Sequence, residues 1–337
     1  MQQISYAHFS HVGHTVSIYL DAHHKGDSLA MDQIERRVMD VAATLAGTAN
    51  EFHNACVELA QENCYDFAIT LLEIAVQRYP KNTDVCADVI QYGMKTHSLD
   101  DLKKYYDGDE TFTGLKNIPK RLWTWRAFSF SLDYLVECLK EEDELSDHYK
   151  TIQTEIESLI VEYKKSAESF SDQSEQERAY MAACEYKQAI GKSEEAYKEL
   201  REAVEKLPNR CPQCALTLAD YYFEQAQFES TVKYAQLAID SVGTQEAISV
   251  GYAYYILAIS LQRIENSKGG TTTTERAKPI FKAYHKAYEY LRIDGRTSLC
   301  KTLQKRVRAM EIDTDFSSGI DFKDDEKKRS RCACCID

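Results

Sequence analysis

The sequence predicts an all-α protein built as a helix-turn-helix repeat solenoid, and three observations carry that expectation. Only 5 prolines and 13 glycines punctuate 337 residues, so helix breakers are scarce. Ala, Leu, Glu, Lys and Tyr recur throughout, a composition that suits long helices joined by short turns. Segments ending at Pro80 and Pro208 match one another when the chain is followed backwards from each proline, and self-similarity of this kind is the mark of a repeat array. A chain of this length buries a substantial core without disulfide or metal staples.

From the N-terminus, residues 1–47 form a helical cap of one or two helices, of which DQIERRVMDVAATLA is the clearer. Residues 48–110 hold the first repeats. The segment EFHNACVELAQENCYDFAITLLEIAVQRYP places Phe52, Ala55, Cys56 and Leu59 on one helix and Ala68, Leu72 and Ala75 on the next. Residues 111–172 are an irregular long hairpin, with helices expected over 119–140 and 146–170. The repeats resume over 173–242. There Tyr180, Ala183, Cys184, Ala196, Leu200 and Ala203 stand at the same distances from Pro208 as the first set does from Pro80. A third unit, CPQCALTLADYYFEQAQFESTVKYAQLAID, carries Ala215, Leu218, Ala219, Tyr222, Phe228, Thr231, Ala235 and Ala238 in equivalent places without a closing proline. Residues 243–311 supply an irregular repeat, 244–265 with 274–292 across the loop NSKGGTTTT, and a last helix at 296–311 that closes the stack. Residues 312–337 form a basic, cysteine-rich tail whose charge density and lost apolar periodicity predict disorder.

These units resemble the tetratricopeptide repeat. In that family small residues let two antiparallel helices approach closely, larger ones fill the gap, and a proline ends the second helix. The resemblance covers residues 49–82 and 177–240 and extends more loosely over 83–107. Phe52/Cys56 and Tyr180/Cys184 replace the family's usual tryptophan and glycine, keeping a large-then-small order. It implies that the first helices of successive repeats line a concave surface that captures another protein, as a peptide or a helix. The family's groove positions fall on Asn50, His53, Val57 and Gln61, on Arg178, Met181 and Glu185, and on Gln213, Leu216, Asp220 and Glu224. This lining is mixed and lacks the lysine-and-asparagine clamp that some members close on a peptide's terminal carboxylate. Trp123 is a further candidate contact, since Trp123, Phe130 and Tyr134 share one predicted helical face while Trp125, Leu132 and Val136 share another. Burial of that helix on both sides is the favoured explanation.

Other chemistries find little footing. A formal charge of −13 opposes general attraction to nucleic acid, and no membrane is expected as a partner unless the tail is lipidated. The N-terminus lacks a basic region followed by an apolar core, so a soluble, cytoplasmic protein is expected. Eleven cysteines, an odd number at irregular spacing, fit reduced thiols better than a disulfide framework. Cys211 and Cys214 have the spacing of half a zinc site, but no second pair or histidine stands at finger-like distance; a turn followed by a packed Cys214 is the competing account and the one preferred. His8, His11, His14, His23 and His24 are taken as surface or capping residues rather than ligands, since none stands in an HExxH arrangement. Cys332, Cys334 and Cys335 behind KKRSR invite lipidation, although the last four residues, CCID, depart from a prenylation box. No phosphate loop, GxSxG or paired-carboxylate setting lies in a strand-to-helix context, so neither catalysis nor a cofactor is expected.

The leading expectation is therefore a non-catalytic scaffold or adaptor. A second is a ligand-responsive regulator whose curvature changes on binding. A third, an RNA-associated repeat protein, would use Arg296, Lys301, Lys305, Arg306 and Arg308 near the C-terminal helix.

Overall fold

The computed structural model describes residues 10–170, 173–208, 210–242, 249–269 and 272–314. Among these residues every regular element is helical: fifteen α-helices and two short 3-10 turns, with no strand beyond a single bridge between His11 and Ala46. The chain divides into two compact units, residues 1–171 and 172–337.

The first unit contains α1 (Val12–His24), α2 (Ser28–Val41), α3 (Ala49–Gln61), α4 (Tyr65–Arg78), α5 (Thr83–Gly93), α6 (Leu99–Tyr106), α7 (Trp125–Glu141) and α8 (Asp147–Ala167). Each packs on its chain neighbour at several junctions, and α3 also meets α5, which meets α7. The second unit contains α9 (Gln173–Ala189), α10 (Ser193–Lys206), α11 (Pro212–Glu224), α12 (Phe228–Ser241), α13 (Val250–Ser267), α14 (Thr274–Ile293) and α15 (Thr297–Thr314). Here too the stacking is sequential, and α11 touches both α9 and α13.

Repetition is visible in the backbone as well as in the sequence. Between α3 and α4, Asn63 has φ +60°; between α9 and α10, Gly191 has φ +74°; between α11 and α12, Ala226 has φ +55°. In each turn the following amide bonds back to the residue five before it: Cys64 to Leu59, Lys192 to Lys187, Gln227 to Tyr222. This is the Schellman closure, which consumes otherwise orphaned helix carbonyls and needs one left-handed residue. The same closure joins α1 to α2 at Gly26, where Asp27 bonds to Ala22. The proline ends also coincide. Tyr79 (φ −124°, ψ 57°) and Leu207 (φ −119°, ψ 61°) take the same non-helical conformation before Pro80 and Pro208, because a following proline disfavours helical backbone.

The expected small-and-large core is present. Phe52, Ala55, Cys56, Leu59, Ala68, Leu72 and Ala75 are buried in the first unit, and Tyr180, Ala183, Cys184, Ala196, Leu200, Ala203, Ala215, Leu218, Ala219, Thr231, Ala235 and Ala238 in the second. Tyr222 is half-buried against that core, and Phe228 is half-buried at the start of α12. Where α13 crosses α14, Gly251 has no room for a side chain: a Cβ there would stand 2.8 Å from the backbone nitrogen of Leu291.

Three expectations need correction. The helix expected through DQIERRVMDVAATLA ends at Val41. Arg78 donates to the carbonyls of Leu45 and Ala42, and the Tyr79 hydroxyl to that of Gly47 at 2.5 Å. With those carbonyls taken by Arg78 and Tyr79 at the end of α4, residues 42–47 leave the helix. The helix expected from residue 119 begins only at Trp125, capped by Thr124, after 3-10 turns at Leu115–Asn117 and Lys120–Leu122. Trp123 thus precedes α7 and shares no helical face with Phe130 and Tyr134. The last helix also runs past the expected tail boundary, as α15 continues to Thr314; the rest of the expected tail, with Cys332, Cys334 and Cys335, lies outside the described residues.

Candidate functional site: the faces of the first helices

In the first unit a buried charge cluster joins the three first helices of successive pairs. Asp88 on α5 is 0% exposed. His53 on α3 approaches its Oδ2 through Nδ1 at 2.6 Å, and Arg126 on α7 donates through Nη2 to its Oδ1. Arg126 also donates through Nη1 to His53 Nε2 at 2.9 Å. One arrangement satisfies all three contacts: the imidazole carries its proton on Nδ1, gives it to Asp88 and accepts from the guanidinium on the other side. Arg126 lies 5.6 Å from the Phe130 ring centre, so the cation is also shielded by an aromatic face. With both ring nitrogens engaged, His53 has no free lone pair to act as a general base. The cluster is a brace for α3, α5 and α7.

Of the other positions expected on α3, Asn50 and Gln61 are exposed and Val57 is half-buried. Trp123 is 3% exposed, its Nε1 donating to the Ile118 carbonyl at 2.9 Å and its ring 5.1 Å from that of Phe128. It is a core residue, not a surface contact.

In the second unit Arg178 and Glu185 on α9 are exposed, and Met181 is half-buried against the core. On α11, Glu224 is exposed, Gln213 and Asp220 are half-buried, and Leu216, at 8% exposure, belongs to the core. Leu216 is thereby withdrawn from any groove lining. Asp220 accepts a hydrogen bond from the Tyr252 hydroxyl of α13, which ties the first helices together as His53 and Asp88 do in the other unit. Burial and the Asp220 carboxylate both push the Tyr252 phenol well above the ordinary tyrosine range. Tyr255 lies beside it, ring centres 6.3 Å apart.

Asp88, Arg126, Tyr252 and Tyr255 were not among the expected positions. A signal existed for Asp88. It is the one charged residue inside the apolar stretch VCADVI of α5, and a buried carboxylate requires a partner.

Cys211 and Cys214 are buried, and the Cys211 thiol donates to the Leu207 carbonyl at 3.3 Å. Cys211 precedes α11 without capping it. The buried carboxylate of Glu177 on α9 does so instead, accepting from the Cys214 amide at 2.8 Å, where the helix dipole favours a negative charge. Burial raises the Cys211 thiol to about 12 and holds the Cys214 thiol well above its ordinary value. His11 caps α1, its Nδ1 accepting from the Gly13 amide at 3.2 Å, and His24 stands 3.5 Å from Glu62; His8 lies outside the described residues. Among the described residues no three His, Cys, Asp or Glu side chains are grouped to hold a metal, and no helix is long and apolar enough to cross a membrane. Of the basic residues near the C-terminus, Arg306 is half-buried beside Tyr284, while Arg296, Lys301, Lys305 and Arg308 are exposed.

No family model and no curated protein matches the chain. Among solved structures it is similar to a circular tandem repeat protein with novel repeat topology and enhanced subunit contact surfaces, at 15% identity over 90% of this chain and 70% of that one. At a TM-score of 0.23 that likeness carries no argument about this chain.

Proposed function

We propose that this chain is a non-catalytic scaffold of the tetratricopeptide type, which holds a partner peptide or helix against the faces of its first helices. The observation that carries this reading is the repeated helix pair with a common closure. Gly191 and Ala226 occupy the same left-handed position 35 residues apart, close to the ~34-residue period of tetratricopeptide units. The first helices of such pairs stand side by side, tied by His53 with Asp88 and by Asp220 with Tyr252. They leave polar side chains in solvent at Asn50, Gln61, Arg178, Glu185 and Glu224. Among the groove positions expected in the second unit, three are carboxylates, Glu185, Asp220 and Glu224, and one is an arginine, Arg178, a balance that favours a partner segment bearing lysine or arginine. The engaged His53 and the buried thiols speak for binding rather than chemistry.

The test is quantitative capture of partners from the source cell by the full chain. It compares the wild type with Glu185→Lys/Glu224→Lys, and with Glu205→Lys/Glu229→Lys on the second helices as a control. Loss of one specific protein from the first variant alone supports the reading. Equal retention by all three chains, with circular dichroism unchanged, overturns it.

A further inference from the structure

The last helix, α15, carries charge of one sign. Residues 295–310, GRTSLCKTLQKRVRAM, hold five cations and no carboxylate, in a chain whose formal charge is −13. Cys300, Leu303, Val307 and Met310 are buried where α15 packs on α14. Lys301, Lys305 and Arg308 follow at intervals of four and three residues, so they share one exposed face about 10 Å long beside that seam. None of the three, nor Arg296, pairs with a carboxylate among the described residues, whereas Lys206, Lys278 and Lys286 on other helices of the unit each do. The turn that leads into α15 is closed by Gly295 at φ +69° and by the Arg296 amide bonded to the Leu291 carbonyl at 2.9 Å. On that turn Ile293 is 78% exposed, the one large aliphatic side chain exposed in the second unit among the described residues.

We propose that this end of the second unit docks on a bilayer containing anionic lipid, with Arg296, Lys301, Lys305 and Arg308 against the headgroups and Ile293 entering the boundary between headgroups and acyl chains. This goes beyond peptide capture and uses none of α9, α11 and α13. Charge selects the sign of the partner. A terminal helix needs a polar outer face, which charges of both signs would supply equally well, whereas cations alone attract an anionic surface. Because these four side chains hold no internal ion pair, they give none up on docking. Ile293 selects the kind of partner. An aliphatic group beside cations gains by leaving water at a headgroup boundary. Single-stranded nucleic acid instead stacks its bases on exposed aromatic rings, and Ile293 offers no such ring.

The test is co-sedimentation of the full chain with vesicles of phosphatidylcholine, alone or with about one-third phosphatidylserine, in about 0.05 M and about 0.5 M salt. The chain is expected to bind only the anionic vesicles, and only at the lower salt. Lys301→Glu/Lys305→Glu/Arg308→Glu should weaken that partition by about a hundredfold. Lys192→Glu/Lys198→Glu/Lys233→Glu, the same change of charge at exposed positions elsewhere in the unit, should weaken it by at most about threefold. Ile293→Ser should weaken it by about tenfold. Circular dichroism should match wild type in every variant, since each substituted side chain is exposed. Sedimentation with neither vesicle, equal losses in the two triple variants, or binding abolished only by replacing Lys327, Lys328, Arg329 and Arg331 with serine would each overturn the proposal. Capture of single-stranded RNA in place of vesicles would assign the face to nucleic acid and overturn it as well.

Discussion

Removing either partner of Asp88 strands a carboxylate that has no access to water. The cost of such a loss exceeds the worth of the pair itself, since the remaining charge stays buried and uncompensated. Asp88→Ala conversely leaves Arg126 and His53 without their acceptor. It is expected to destabilise the first unit by about 3–5 kcal/mol, measured by urea denaturation; a loss below about 1 kcal/mol would mean that water reaches the cluster. Glu177 offers a second test, with a definite sign. Its burial outweighs the amide bonds from Cys214 and Gln213, so its pKa in the folded state is raised. A raised carboxyl favours folding below its unfolded value, and that advantage is lost as pH rises through the folded value. Wild type should therefore gain stability relative to Glu177→Gln as pH falls from neutral to about 4, and a difference that is flat with pH would contradict this. The thiols of Cys211 and Cys214 are expected to resist iodoacetamide at pH 8 until the chain unfolds, because burial keeps both protonated. Rapid alkylation of the native chain would reopen the half-zinc-site alternative.

At the scale of elements, two backbone positions in the second unit give opposite expectations for a change of one methyl group. Ala226 takes a left-handed conformation that Gly191 adopts at the equivalent turn without a Cβ penalty. Ala226→Gly should accordingly stabilise the second unit by about 0.5–1 kcal/mol, part of the left-handed cost of ~1–2 kcal/mol per residue being offset by glycine's entropy. A drop in thermal midpoint would contradict the strained-turn account. Gly251→Ala runs the other way. Its Cβ meets backbone at Leu291, so the clash outweighs alanine's helical advantage and about 1–3 kcal/mol is lost. The helix pairs themselves were legible in the sequence because their small residues and prolines stand at fixed spacing. Pro80 and Pro208 located the ends of α4 and α10, and the residues buried between those helices are the ones the spacing marked. Residues 42–47 and 107–124 were not legible, since their conformation depends on distant partners. Arg78 and Tyr79 unwind the first stretch. In the second, the Asn117 amide bridges the carbonyls of Asp107 at 2.6 Å and Thr113 at 2.9 Å. No local pattern announces either arrangement.

For the molecule as a whole, charge and architecture limit what the chain binds. Each unit stacks its helices in sequence, so that every pair buries one side against its neighbours and the first helices share a face. The groove positions carried over from the repeat family divide accordingly. Asn50, Gln61, Arg178, Glu185 and Glu224 remain in solvent, whereas Leu216 and Trp123 are core. Trp123 was misplaced because an aromatic at helical spacing says nothing about where the helix starts. Asp88, Arg126 and Tyr252 were missed because α5, α7 and α13 lie where the repeat pattern is loose.

The central claim, that the first helices form the binding face, is tested most directly by hydrogen exchange on the complex with the captured partner. Slowed exchange concentrated in α9, α11 and α13, or in α3, α5 and α7, with α10, α12 and α4 unchanged, is the predicted result. Protection confined to the second helices, or a partner that protects none of these elements, would contradict it.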